Sequence, residues 1–130
     1  MTKLDAQYQN LQKALARLKE GIELPFSEVS RDATIQRFEF TFELSWKLMQ
    51  SIVRENKPEV AGVRTIIRVA TDIGLIDDPL VWFDFLDKRN LTVHTYEEAV
   101  AQMVYEAAKL FLPEVEKLVN RIKERKLVKS

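Results

Sequence analysis

The sequence has no cysteine, one histidine, three glycines and four prolines in 130 residues. Without cysteine there is no disulfide, no thiolate metal ligand and no thiol nucleophile. With His94 as the only imidazole, a zinc site built from several histidines is excluded, and neither metal nor cofactor is expected. An excess of one charge is missing too: 20 Lys and Arg balance 20 Asp and Glu. Nothing then draws the whole chain to nucleic acid or an anionic membrane, so any RNA contact has to be local. No apolar run approaches the ~18 residues of a membrane span. The start, Met1-Thr2-Lys3-Leu4-Asp5, lacks the apolar stretch of a secretory signal. A soluble, cytoplasmic protein is expected.

What is present is helical periodicity. Apolar residues make up 46% of the chain, enough for one core, and the length suits a single domain over residues 1–130. Leu4, Tyr8, Leu11, Leu15, Leu18 and Ile22 form one stripe, which predicts a helix over about 3–20 with Gly21 as its stop. Residues 30–55 are harder to read. Phe38, Phe40, Phe42, Leu44, Trp46 and Leu48 alternate with polar residues, the period of a strand. The run is too long for one strand, and at about 100° per residue it resolves into a coherent wheel. Gln36, Glu39, Glu43, Lys47, Gln50 and Arg54 then form a narrow polar strip. Ile35, Phe38, Phe42, Trp46, Met49 and Val53 form one apolar face, and Phe40, Leu44 and Leu48 a second. Glu43 and Lys47 are spaced as an i,i+4 pair. A helix is predicted. Apolar on two faces, it needs two partners: the second face can meet further helices or a second copy of the chain, and a symmetric homodimer is the commonest cover.

Further helices are predicted over 63–74, ending at Gly74, and over 79–91, opened by an Asp78 cap with Pro79 behind it. Trp82, Phe85, Leu86 and Arg89 share a face of the latter. Thr95-Tyr96-Glu97-Glu98 reads as a capping box, so the fifth helix is predicted to start at Thr95. Pro113 is expected to kink or restart it, and a last stretch ends near 126. The basic tail from Arg121 to Lys129 reads as a solvated helix end. The architecture that follows is all-α, an antiparallel up-and-down bundle resembling a four-helix bundle, with five to six helices.

The segment Arg89-Asn90-Leu91-Thr92-Val93-His94-Thr95-Tyr96 carries the candidate chemistry. A turn between Arg89 and His94 lets their side chains converge. An arginine beside a helix N-terminus makes an anion site, and a histidine there can take or give a proton near neutral pH. That pairing suits metal-independent phosphodiester cleavage. His94 takes a proton from a ribose 2′-hydroxyl or protonates the leaving oxygen, and Arg89 stabilises charge on the phosphate. One chain offers one histidine, whereas two facing copies offer both an acid and a base. The same residues also admit a structural role: His94 as a capping residue, Arg89 as a partner of the helix dipole, Tyr96 as packing.

Arg89-x4-His94-x-Tyr96, with Asn90 after the arginine, resembles the Arg-x4-His-x-Tyr signature of the HepT-like branch of HEPN domains. That branch is also known as the nucleotidyltransferase substrate-binding protein family. The run Asp32-Ala-Thr-Ile-Gln-Arg-Phe-Glu-Phe-Thr-Phe-Glu-Leu-Ser-Trp-Lys47 resembles its second-helix pattern. The resemblance implies a dimeric helical bundle acting as a toxin, a metal-independent ribonuclease whose partner is a cognate minimal nucleotidyltransferase. It implies that Arg89 and His94 are catalytic and that Asn90 supports them. Tyr96 would then accept AMP from the partner, which silences the enzyme. An older view of the family implies a non-catalytic subunit that presents substrate to the nucleotidyltransferase.

Overall fold

The computed structural model describes residues 1–129. Five α-helices follow one another: α1 (Lys3–Glu23), α2 (Glu28–Arg54), α3 (Val63–Asp72), α4 (Pro79–Asn90) and α5 (Glu98–Glu124), with a 3-10 turn, Leu91–His94, between the last two. No strand occurs among the described residues.

Local sequence sets most of the boundaries. Thr2 caps α1 through its side chain, and Asp5 bonds back to the Thr2 N–H at 3.1 Å. Ser27 and Ser30 exchange the same pair of bonds at the start of α2. Asp78 accepts from Leu80 N at 2.9 Å, with Pro79 in the first turn of α4. Each side-chain oxygen satisfies an N–H that the helix start leaves free.

Gly21 does not stop α1, which continues to Glu23. It marks instead a close approach of two helices: a Cβ there would lie 2.9 Å from Thr34 Oγ1. Opposite it, α2 presents the buried hydroxyl residues Thr34, Thr41 and Ser45. Each returns its hydroxyl to a carbonyl on its own helix, at 2.6–2.8 Å. A small hydroxyl satisfied within its helix lets the neighbouring backbone come near without leaving a polar group unpaired.

The chain runs up and down. Thr41 bonds Ala14 and Arg37 bonds Arg17, so α1 and α2 are antiparallel. Phe42 meets Trp82 while Glu39 meets Thr92, so α2 and α4 are antiparallel. α2 and α5 run parallel, with Arg31 on Glu98 and Phe38 on Phe111. α2 contacts every other helix, whereas α1 and α4 do not meet. The second helix does need two partners, and both come from its own chain. Its Phe40 side meets α1, where Arg17 lies over the Phe40 ring at 5.0 Å. α1 covers part of this second face: Phe40 and Leu44 stay half-buried and line an open cavity with Asn10, Lys13, Ala14 and Arg17.

Two further expectations change. Pro113 does not restart the chain as a separate helix: α5 runs through it from Glu98 to Glu124. Proline there removes one backbone donor, and ten buried residues along α5 hold the helix against the bundle. The basic tail is not simply solvated. Arg121 pairs with Asp77 at 2.7 Å, and Arg125 donates to the carbonyls of Ile73 and Gly74 at 2.6 and 3.1 Å. Both arginines tie the end of α5 to the loop between α3 and α4.

Phe38, Phe42, Trp82, Phe85 and Phe111 form an aromatic centre joining α2, α4 and α5. Phe111 lies 4.9–5.9 Å from the other four rings, mostly edge to face, the favoured geometry. Among the described residues, no helix is long and apolar enough to cross a membrane.

Candidate functional site

The aromatic centre ends at Arg89. The first three members of its predicted stripe, Trp82, Phe85 and Leu86, are buried. Arg89, in the last turn, lays its guanidinium 5.5 Å above the Phe42 ring. Its Nη1 donates to Glu43 Oε1. Its Nε is buried with no hydrogen-bond partner among the described residues.

Glu43 also accepts from Trp46 Nε1 at 3.2 Å, and Lys47 Nζ stands 4.0 Å from the same carboxylate. One turn earlier, Glu39 accepts from the Thr92 hydroxyl, which also reaches the Arg89 carbonyl at 2.7 Å. Glu39, Glu43, Arg89, Asn90, Thr92 and Val93 line an open cavity of about 310 Å³. Two carboxylates and one guanidinium thus share a concave surface, and the buried Phe42 ring lies beneath the guanidinium.

The four residues singled out by the sequence fall into two pairs. Arg89 and Asn90 border the cavity. His94 and Tyr96 lie outside its lining, at and beyond the end of the 3-10 turn, with rings edge to face 6.1 Å apart. Both are solvent-exposed, Tyr96 by 78%.

The predicted helix start at Thr95 is wrong. α5 begins at Glu98, and Glu97 in the cap position makes no side-chain bond. The Thr95 hydroxyl donates backwards to the Thr92 carbonyl at 3.0 Å. Glu98 does not reach back to Thr95. It takes a two-pronged contact from Arg31, at 2.7 and 3.2 Å. Arg31 is buried at the start of α2, so this pair anchors the start of α5 across the bundle. The shared bonds hold the Glu98 carboxyl below the usual carboxylate range and the Arg31 proton above its own. Tyr96 therefore precedes α5, and the anion site expected from Arg89 beside that helix start is differently built. Arg89 is already paired with a carboxylate.

Glu39 and Glu43 are the site residues that sequence reasoning left unassigned. Their signal was present: both belong to the polar strip of α2, the face that lines the cavity. Among the described residues, no group of three or more Asp, Glu or His side chains is arranged to hold a metal ion.

A helical bundle closed by an Arg-x4-His-x-Tyr turn beside a polar cavity defines a class that has relatives. The family model described as "Nucleotidyltransferase substrate binding protein like" matches residues 6–124, and the chain belongs to that family. A Haemophilus influenzae protein named "Probable ribonuclease HepT" is 36% identical over 96 residues, 70% of this chain and 66% of the relative. A crystal structure from Thermus thermophilus superposes with a TM-score of 0.80 at 40% identity, covering 86% of this chain and 98% of that one. Another, from Haemophilus influenzae, is described as revealing the fold of a substrate-binding domain of a nucleotidyltransferase. It gives a TM-score of 0.71 at 29% identity, over 92% of this chain and 96% of its own.

Proposed function

We propose that this chain is a HepT-like ribonuclease that cleaves RNA without a metal ion, acting as the toxin of a pair whose antitoxin is a minimal nucleotidyltransferase. The observation that carries the reading is the end of α4. Arg89 and Asn90 border an open polar cavity, and the very next turn exposes the only histidine. Arg89 binds the scissile phosphate and offsets charge developing on it. Asn90 supports that contact. His94 takes the 2′-hydroxyl proton or donates one to the leaving 5′-oxygen. Resemblance to the protein named ribonuclease HepT supports RNA as the substrate.

Acid and base together require a second histidine, which a homodimer brings. Further support for a dimer lies on α4 and α5. Leu80 and Leu110 are 72% and 68% exposed. They line a cavity of about 540 Å³ with Val81, Phe85 and Pro113, and with Asp84 and Glu114 among its polar members. Apolar surface of this kind on the helices that carry the site favours a partner copy.

Tyr96 is the proposed control point. Transfer of AMP from ATP forms a phosphodiester bond to the Tyr96 oxygen and releases pyrophosphate. The added group brings bulk and negative charge beside the His94 ring and competes with an RNA phosphate for Arg89. The accessibility of Tyr96 supports this role.

A second reading has its own support. The carboxylates of Glu39 and Glu43 share the cavity with Arg89, and the matching family is described by substrate binding. Under it, the chain presents substrate to the nucleotidyltransferase and does no chemistry. The test is RNA cleavage by the purified protein before and after treatment with the cognate nucleotidyltransferase and ATP, with mass spectrometry of the peptide holding Tyr96. The ribonuclease reading expects cleavage first, then silencing with an AMP mass gain that Tyr96→Phe abolishes. A stable complex with no cleavage at any stage overturns it in favour of the second reading.

A further inference from the structure

Beside the cavity, the face shared by α3 and α4 holds a second arrangement of charge. Arg64 and Arg68 stand one turn apart on α3, and both are exposed. Both guanidinium carbons lie over the single Phe83 ring of α4, at 5.5 and 5.2 Å from its centroid. Arg64 Nη2 is also 3.6 Å from Asp87 Oδ1. Two like charges at i,i+4 repel. A ring that receives both offsets part of that cost, and Asp87 neutralises only one. Among the described residues Asp87 is the only carboxylate paired with either arginine, and Asp72 stands one turn beyond Arg68 on α3.

Its position relates it to the candidate site. α3 lies antiparallel to α4, with Arg64 at Asp87 and Arg68 at Phe83. Asn90 follows Asp87 by one turn and Phe83 by two, so Phe83, Asp87 and Asn90 share one face of α4. That face leads over about 10 Å of helix from the paired arginines to the cavity that Asn90 lines.

We propose that Arg64 and Arg68 form a phosphate-binding subsite that holds the backbone of single-stranded RNA where it runs past the Arg89–His94 segment. The inference rests on the reading of RNA as ligand. Guanidinium forks match phosphate oxygens two at a time. Contact with Phe83 fixes both forks before the ligand arrives, which lowers the entropy cost of binding. Successive phosphates, one at each arginine, replace Asp87 as the counter-charge. Such contacts bind any sequence, so this subsite contributes affinity and register while the cavity selects the bond.

The test uses a fluorescent single-stranded oligoribonucleotide, with binding followed by anisotropy across a potassium chloride series. His94→Ala protein serves as the parent, so that the probe stays intact. It is compared with the same protein carrying R64Q and R68Q, or R64K and R68K. Circular dichroism checks that helicity is kept. Loss of two phosphate contacts should lower the slope of log affinity against log salt by about 1.4, at ~0.7 per contact. The lysine pair should keep the parent slope with weaker binding. Equal affinity and slope in the glutamine pair overturns the proposal. So does a glutamine pair that binds RNA as the parent does but no longer binds the nucleotidyltransferase, since the surface then belongs to a protein partner. Cleavage is assayed separately with His94 intact. Arginine-dependent binding without cleavage sinks the ribonuclease reading and leaves the subsite standing. Cleavage with binding indifferent to the arginines does the reverse. An oligoribonucleotide that does not bind at all overturns both.

Discussion

Replacing Glu43 by glutamine removes a charge from the cavity wall while leaving an oxygen for Arg89 to donate to. Glu43 accepts from Arg89 and Trp46 and stands 4.0 Å from Lys47. The Arg89 and Glu43 side chains are 25% and 28% exposed. Glutamine still accepts from Arg89, so the substitution should cost about 1 kcal/mol, a fall of a few degrees in Tm. Function should respond more strongly. A substrate phosphate on Arg89 comes within roughly 6 Å of this carboxylate, where at an effective dielectric constant of ~40 the repulsion is about 1.4 kcal/mol. That amounts to about tenfold in affinity. The Glu43→Gln protein is expected to cleave RNA with a KM about tenfold lower and a kcat changed less. Steady-state kinetics on a short RNA measures both. A KM that rises, as Arg89→Ala should make it do, would mean that Arg89 needs the Glu43 charge to keep its place, and the reasoning would fail.

Three other outcomes are expected. Asp5 accepts from Lys129 N at 2.8 Å and from Thr2 N at 3.1 Å, and these bonds hold its carboxyl below the ordinary range. Its contribution is therefore present above an unfolded pKa near ~4 and is lost as pH falls through the lower folded value. Asp5→Asn should lower Tm at neutral pH, where the charged carboxylate contributes, and change it little at the acid end, which flattens the acid limb of a Tm–pH curve. Gly21→Ala sets about 1 kcal/mol of helix propensity against roughly 1–3 kcal/mol of overpacking on Thr34, a net loss. With Thr34→Ala in place, the same change should stabilise, as urea unfolding can show. Thr95→Ala should cost under about 0.5 kcal/mol, whereas loss of a true N-cap costs about 1 kcal/mol. A larger loss by urea unfolding would restore Thr95 as the cap of α5.

Much of the bundle was legible because its signals are local. The stripe from Leu4 to Leu18, the caps at Asp78 and Gly74, and the wheel of α2 each need only neighbouring residues. Gly74 shows why: its φ of +79° is open to glycine at little cost, and the following N–H of Leu75 closes on the Ala70 carbonyl. What was missed depends on partners distant in the chain. Thr95-x-x-Glu98 has the spacing of a capping box, but Glu98 is claimed by Arg31, 67 residues away. Gly21 resembles a stop until Thr34 appears opposite it. The second face of α2 was read correctly as needing cover, and spacing alone gives no way to prefer α1 over another copy.

The same limit applies to the site. Arg89 and Asn90 were named from the motif, while Glu39 and Glu43 appeared only as part of a polar strip. The fold turns that strip into a cavity wall, because α2 runs antiparallel to α4 and brings position 43 to position 89. For a second copy the fold offers the exposed leucines of α4 and α5 besides the half-buried Phe40 and Leu44 of α2.

The central claim is that His94 performs acid–base chemistry on RNA. The most direct measurement is single-turnover cleavage of a defined RNA in excess EDTA, with wild-type and His94→Ala proteins matched for helicity and Tm. The account expects chelator-resistant cleavage by the wild type and a loss of about 100-fold or more in the variant, the usual weight of a positioned general acid or base. Cleavage that survives undiminished in His94→Ala would contradict it.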